Sequence, residues 1–115
     1  MWVWSCLVLF GELFIEIIRF RTMKKNIWKY EIKITDDQSI KMPKGAEILT
    51  VQTQDGNPCI WALVDPEADL EYRMIEVFGT GHPIHYDMGI DRKYIGTIQI
   101  VEAGLVFHVF EYTGV

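Results

Sequence analysis

Several residue types that often mark a particular chemistry are scarce in this chain. Its 115 residues include two cysteines, Cys6 and Cys59, and three histidines. The cysteines form no Cys-x-x-Cys pattern, and a single pair so far apart in sequence is weak evidence for a disulfide. We therefore expect reduced thiols and a cytoplasmic location.

Clusters of basic residues are also lacking. The formal net charge is −5, and no run of basic residues is longer than Lys24–Lys25. Sequence-independent binding to nucleic acid depends on many phosphate contacts, so we do not expect it, although a local basic pocket remains possible. Half of the residues are hydrophobic and 13% are aromatic, which is enough to fill the core of one small globular domain.

No apolar run is long enough to cross a membrane as a helix. The run that starts at Met1 ends at Glu12, whereas a spanning helix needs about 18 apolar residues. A secretory signal carries its positive charge before the apolar stretch, and here Arg19 and Arg21 follow it. We divide the chain into an apolar leader, residues 1–22, and a single β-domain, residues 23–115.

Three interpretations of the leader remain open. It is translated upstream sequence before a natural start at Met23, an interfacial or oligomer-forming helix, or, least favoured, a membrane anchor. We expect no stable membrane insertion. As a helix, the leader would have to bury an apolar stripe against another surface. The stripe consists of Leu13, Phe14, Ile17, Ile18 and Phe20.

The rest of the chain has the pattern of β-strands. Apolar and polar residues alternate over 27–34, and no segment after Met23 keeps a helical period over three turns. Asp55 to Pro58 predict a hairpin turn. We predict an all-β fold, a small antiparallel sandwich or barrel of about six to seven strands. The predicted strands are 27–34, 39–42, 47–54, 59–65, 70–78, 94–101 and 105–112.

The order of several separated motifs resembles a known family. The motifs are "ITDDQSIKMPKGAEILTVQTQDGNPCIWALVDP", "FGTGHPI" and "YIGTIQI…LVFHVFE". Together they resemble a family of small proteins of unknown function found in phages and prophages. The resemblance covers about residues 27–111 and implies a role in infection, such as countering host defence. It assigns no catalytic residue.

The segment "VFGTGHPIHYD", residues 77–87, is the candidate site. Gly79 and Gly81 would let backbone N–H groups approach an anion, while Thr80 and His82 would add hydrogen bonds. The segment is neither a Walker A motif nor a dinucleotide fingerprint. The alternative is that the glycines only form a turn where a strand ends.

We predict neither a metal nor a cofactor. His82, His85, Asp87 and His108 are ligand types, but an odd spacing puts His82 and His85 on opposite faces of a regular strand. We also predict no catalytic residue and consider an enzyme the less favoured class. Cys59 reads as a small buried hydrophobe, Ser39 and Thr80 have no evident base, and the acidic residues of 65–71 read as a solvated loop.

Three further residues have two interpretations each. Arg73 is either a solvated partner of Glu71 or a phosphate clamp beside the glycines on the same strand. Trp61 is either a core residue or a platform that stacks on a base or anchors a partner. His108 is a hydrogen-bonded core or interface residue, or it joins the site.

These observations lead to a first functional hypothesis and its rivals. The first is a non-enzymatic phage protein that sequesters an anionic ligand, in its most concrete form a nucleotide immune signal. Its site would lie between subunits of a homo-oligomer, because a domain of this size has little room for a deep pocket. The ligand-binding residues would be Gly79, Thr80, Gly81, His82, Arg73, His85 and Trp61. The rivals are a module that inhibits a host protein and a minor structural phage protein.

Overall fold

Seven antiparallel strands form two sheets in the computed structural model, which describes residues 24–86 and 89–114. This confirms the predicted all-β fold; the leader lies outside the described residues. Among the described residues no helix is long and apolar enough to cross a membrane. The strands are β1 (Asn26–Glu31), β2 (Asp37–Pro43), β3 (Glu47–Gln54), β4 (Asn57–Val64), β5 (Leu70–Gly79), β6 (Asp91–Ile100) and β7 (Leu105–Gly114).

The strands divide into a three-stranded sheet, β1-β4-β3, and a four-stranded sheet, β2-β5-β7-β6. The β3–β4 hairpin turns at Asp55 and Gly56, whose φ angles are 52° and 81°. Two consecutive positive φ angles are typical of a type I′ turn, which matches the twist of the flanking strands. The hairpin predicted at residues 55–58 is therefore confirmed.

The core lies between the inner faces of the two sheets. The central strand β4 contributes Ile60, Ala62 and Val64, each fully buried. They pack in one cluster with residues of β5 and β7 from the opposite sheet, including Ile75 and Val109. Alternate residues of the strands point into this cluster, and the others point away from it, except where the register shifts in β3 and β6.

The two sheets approach most closely where β3 lies beside β6. The Thr53 hydroxyl donates a hydrogen bond of 3.2 Å to the Gln99 carbonyl oxygen. A Cβ atom on Gly96 would lie 2.9 Å from Cγ1 of Val51, so only glycine fits there without a shift of its neighbours. The β6–β7 register also changes between Tyr94 and Gly96, as at a β-bulge.

A polar network closes the other end of the core. Arg73 of β5 bonds to both carboxylate oxygens of Glu111 on β7, and its Nη1 donates to the Ala46 carbonyl oxygen at 2.8 Å. Glu71 lies 3.6 Å from the same guanidinium and accepts a hydrogen bond from the Gly45 amide. The hydrogen bond that Arg73 donates to Glu111 raises the pKa of Arg73. Arg73 therefore fixes the β2–β3 turn to the sheet.

Replacing Arg73 with methionine should destabilise the fold strongly. Glu111 is 7% exposed, and the substitution would leave its carboxylate buried without a cation. Breaking one side of such a pair costs about 3–5 kcal/mol, which urea unfolding would measure. The double variant Arg73→Met/Glu111→Leu should regain most of this loss. A single variant as stable as the wild type would contradict the role given to the pair.

Gly96→Ala should also lower stability, because the new methyl group would press on the buried Val51 side chain. Overpacking of this kind costs about 1–3 kcal/mol. Combining it with Val51→Ala should relieve the contact, so the second substitution should cost less in the Gly96→Ala background than in the wild type. Thermal unfolding of the four proteins measures this coupling, and additive effects would contradict it.

Candidate functional site

The candidate site lies on the outer face of the four-stranded sheet, the face turned away from the core. Polar and aromatic side chains lie side by side there, next to residues 79–82. Val77 and Val109 point inward, so their neighbours Phe78 and His108 point outward. The strand register places the outward residues of adjacent strands side by side. They are Tyr72, Met74, Glu76 and Phe78 on β5; Val106, His108, Phe110 and Tyr112 on β7; and Arg92, Tyr94 and Thr97 on β6.

A row of hydrogen bonds crosses this outer face. Nε2 of His108 lies 2.8 Å from the Thr80 hydroxyl, and its Nδ1 lies 3.0 Å from the Thr97 hydroxyl. The Thr97 hydroxyl is in turn 2.5 Å from the Tyr94 hydroxyl. Both ring nitrogens of His108 therefore have partners, which fixes the imidazole plane. The row connects the end of β5 to β7 and β6.

Aromatic rings surround the row. Phe110 packs edge-on against Phe78 and Tyr94, with ring centroids 6.0 Å and 5.4 Å apart. The His82 ring lies 5.8 Å from the Phe78 ring. Phe78 is only 7% exposed, although it points away from the core. Tyr94 remains 55% exposed, so its ring is open to a ligand.

Arg92 holds the segment that follows β5 over the outer face. Its guanidinium bonds to both carboxylate oxygens of Glu76 and to the carbonyl oxygen of His85. It also lies over the rings of Phe78 and Tyr86, at 5.7 Å and 5.2 Å from the ring centroids. The hydrogen bond that Arg92 donates to Glu76 raises the pKa of Arg92. These contacts hold the backbone of His85 against the outer face, while the His82 ring lies beside Phe78.

Gly79 and Gly81 lie in one turn, but only Gly81 has a positive φ angle. The His82 amide donates to the Gly79 carbonyl oxygen at 3.0 Å, and Gly81 has a φ of 87°. A positive φ at the third position is typical of a type II turn and favours glycine. Gly79 has no positive φ. The turn therefore explains Gly81, and the amide bonded within it is that of His82, not one of the Gly79–Gly81 amides expected to bind an anion.

The predicted metal-ligand types do not converge. Within residues 24–86 and 89–114, no three His, Cys, Asp or Glu side chains could hold a metal ion together. Asp87 lies outside the described residues. Cys59 is 1% exposed, which confirms that it is a small buried residue, and burial raises the pKa of its thiol.

Two of the residues predicted for the site lie elsewhere. Arg73 is on the inner face, bonded to Glu111. Gly79 lies six positions further along β5, about 20 Å away. Its partner Glu71, expected from the sequence, is present at 3.6 Å as a secondary contact. Trp61 is half-buried on the outer side of the three-stranded sheet, opposite Lys29. The structure does bring together Gly79, Thr80, Gly81, His82 and His108, and Arg92 bonds the backbone of His85 over the same face.

Sequence reasoning missed Arg92, Tyr94 and Thr97 as members of the site. Strict alternation places Tyr94 and Thr97 on opposite sides of β6, but the bulge before Gly96 brings both to the outer face. The available signal was Gly96 itself, because a glycine inside a strand often marks a bulge. No local pattern showed that Arg92 pairs with Glu76, which is sixteen residues away.

Arg92→Lys should loosen the segment from Thr80 to Tyr86 although it keeps the charge. Lysine lacks the planar fork that bonds Glu76 and the His85 carbonyl and lies over two rings. We expect a loss of about 1–3 kcal/mol in unfolding free energy and faster amide hydrogen exchange in this segment. The neighbouring exposed Lys93 is the matched control: Lys93→Met should change neither quantity. Unchanged exchange in Arg92→Lys would contradict the role assigned to Arg92.

Comparison with known proteins assigns the chain to a domain family whose description gives no activity. No curated protein and no solved structure matches the chain. A family described as a domain of unknown function, DUF7352, matches residues 23–114, which include all seven strands and both glycines of the turn. The chain therefore belongs to the DUF7352 family of domains of unknown function.

Proposed function

We propose that the protein is a non-enzymatic binding protein that sequesters a nucleotide-type ligand on the outer face of the four-stranded sheet. The carrying observation is the exposed Tyr94 ring beside a His108 whose two ring nitrogens are held by Thr80 and Thr97. A rigid, exposed aromatic ring next to a fixed polar row suits a planar ligand group with hydrogen-bonding edges.

The planar part of the ligand would stack on Tyr94. The tyrosine hydroxyl already bonds Thr97, and Phe110 packs edge-on against the same ring. These contacts restrict the ring without covering it, so little conformational entropy is lost when a base stacks on it. Stacking between a base and an aromatic side chain contributes about 1–3 kcal/mol.

The anionic part would lie near the turn that ends β5. Arg73 and Arg92 both have carboxylate partners, Glu111 and Glu76, so neither guanidinium is available to a phosphate. His82, at the end of the turn, and His85 are exposed on the segment held by Arg92, whereas both ring nitrogens of His108 already have partners. They therefore replace Arg73 as the proposed phosphate partners.

The biological setting of the proposal comes from the sequence resemblance to phage and prophage proteins. In that setting the ligand would be a nucleotide immune signal, and the protein would remove it from the cytoplasm of the infected cell. Cys59 is buried, so its thiol is not accessible to a ligand. The Thr80 hydroxyl, for which the sequence showed no base, lies 2.8 Å from Nε2 of His108. Release of an unaltered ligand is therefore the result that distinguishes sequestration from turnover.

A protein partner is the second candidate, and the breadth of the exposed surface favours it. Tyr72 is 71% exposed and Met74 37% exposed on the same outer face, well away from the turn. Exposed aromatic side chains of this kind anchor protein interfaces. This candidate predicts that a host protein binds and that Tyr72 contributes to binding.

The first test is release of bound nucleotide. The full chain is incubated with adenosine and guanosine mononucleotides and cyclic dinucleotides, separated from unbound material and heat-denatured, and the released compounds are identified. An unaltered nucleotide in stoichiometric amount supports sequestration. An altered compound would point to an enzyme, and no release would contradict the proposal and leave the protein partner as the candidate.

Substitutions at Tyr94 then test the location. Tyr94→Ser should weaken binding of the released nucleotide about tenfold by calorimetry, whereas Tyr94→Phe should keep most of the affinity because the ring face remains. Tyr72→Ser is the matched control, since Tyr72 is an exposed tyrosine on the same sheet face, about 20 Å from the turn. Equal affinities of Tyr94→Ser and the wild type would exclude this site.

A further inference from the structure

We propose that β1 is an interface strand that pairs with β1 of a second copy of this chain and extends the three-stranded sheet into a continuous six-stranded sheet. β1 is an end strand of its sheet, with β4 on one side. Five of its six residues are exposed, including Ile27 at 60% and Trp28 at 36%. An end strand with exposed apolar side chains is a template for pairing with another chain.

The backbone of β1 has hydrogen-bonding groups directed away from β4. The Ile32 amide donates to the Pro58 carbonyl oxygen at 3.0 Å, next to the pair of Glu31 with Cys59. Even-numbered residues therefore direct their backbone groups toward β4. Because these directions alternate along a strand, Ile27, Lys29 and Glu31 direct theirs outward. An antiparallel partner strand could exchange hydrogen bonds with Lys29 and Glu31, whereas the Lys33 backbone beyond them is already bonded to the Gln38 side chain.

The other sheet edges in the described part of the chain are less suited to pairing. β3 and β6 lie beside each other, and the Thr53 hydroxyl bonds across to Gln99. β2 ends at Pro43, which has no N–H to donate and is typical of protected edges. The Gln38 side chain also ties β2 back to the backbone of Lys33.

Charge determines the register of the proposed pair. A two-fold axis at Tyr30 places Lys29 of each copy opposite Glu31 of the other, and both residues have outward backbone groups. An axis at Lys29 would instead place the two lysines opposite each other, which is unfavourable. The Lys29 ammonium now contacts the Gln54 side chain at an exposed site, a bond that it can exchange for Glu31 at little cost.

This interface does not involve the proposed ligand site. β1 belongs to the three-stranded sheet, whereas the row through His108 lies on the outer face of the other sheet. Pairing through β1 would leave both copies of that face uncovered. Ligand binding and self-association can therefore fail or succeed separately.

Sedimentation of the full chain and of two proline variants tests the proposal. The wild type should sediment as a dimer. Lys29→Pro should sediment as a monomer with a retained β-sheet circular dichroism spectrum, because the N–H that it removes points away from β4. Lys41→Pro is the matched control: Lys41 is an exposed lysine on the other end strand, β2, and its substitution should leave the dimer intact. A monomeric wild type, or an oligomer that survives Lys29→Pro, would overturn the proposal; the latter would point to residues 1–22.

Charge exchange tests the register. Lys29→Glu should raise the dimer dissociation constant about tenfold, since it places two glutamates opposite each other in both symmetric positions. Lys29→Glu/Glu31→Lys should restore the wild-type constant, because it recreates the opposite-charge pairs. Failure of the double variant to recover would exclude the register centred on Tyr30.

Discussion

The ion pair between Arg92 and Glu76 is the interaction on which the outer face depends. It joins β6 to β5 across β7 and positions a guanidinium between the rings of Phe78 and Tyr86. The same guanidinium bonds the His85 carbonyl oxygen, so the segment after β5 folds back over the sheet. Without this contact the backbone of His85 would lose its hydrogen bond to the sheet, whereas His82 is also held by its amide bond to Gly79 and lies beside the Phe78 ring.

The molecule uses its two described arginines in the same way on opposite sides of one sheet. Arg73 closes the core side through Glu111, and Arg92 organises the outer side through Glu76. Each carboxylate neutralises the guanidinium that it contacts. The charges of the two arginines therefore stabilise the fold and are not available to bind a ligand. Recognition on the outer face therefore depends on ring faces, hydroxyls and imidazoles. A ligand that binds there should gain more from its planar group than from its charge.

The strands could be predicted from sequence because alternation and turn residues act locally. The Asp55–Gly56 turn depends on neighbouring residues and is present in the structure. The strand predicted over 27–34 is present as Asn26–Glu31, but burial does not follow the alternation, since Trp28 and Ile34 are 36% and 43% exposed. The role of Arg73 was harder to predict, because its partner Glu111 is thirty-eight residues away. The bulge between Tyr94 and Gly96 moved Thr97 to the outer face, which a strict period of two does not anticipate. The glycine turn was located correctly, but its hydrogen bonds could only be known from the fold.

The central claim is that the outer face of the four-stranded sheet is the binding surface, and a nuclear magnetic resonance titration tests it most directly. Backbone amide signals of the full chain would be assigned and followed as adenosine and guanosine mononucleotides and cyclic dinucleotides are added. We predict that the shift changes concentrate at residues 79–82, Tyr94, Thr97 and His108. Changes centred on Trp61 and the three-stranded sheet, or no changes with any nucleotide, would contradict the account.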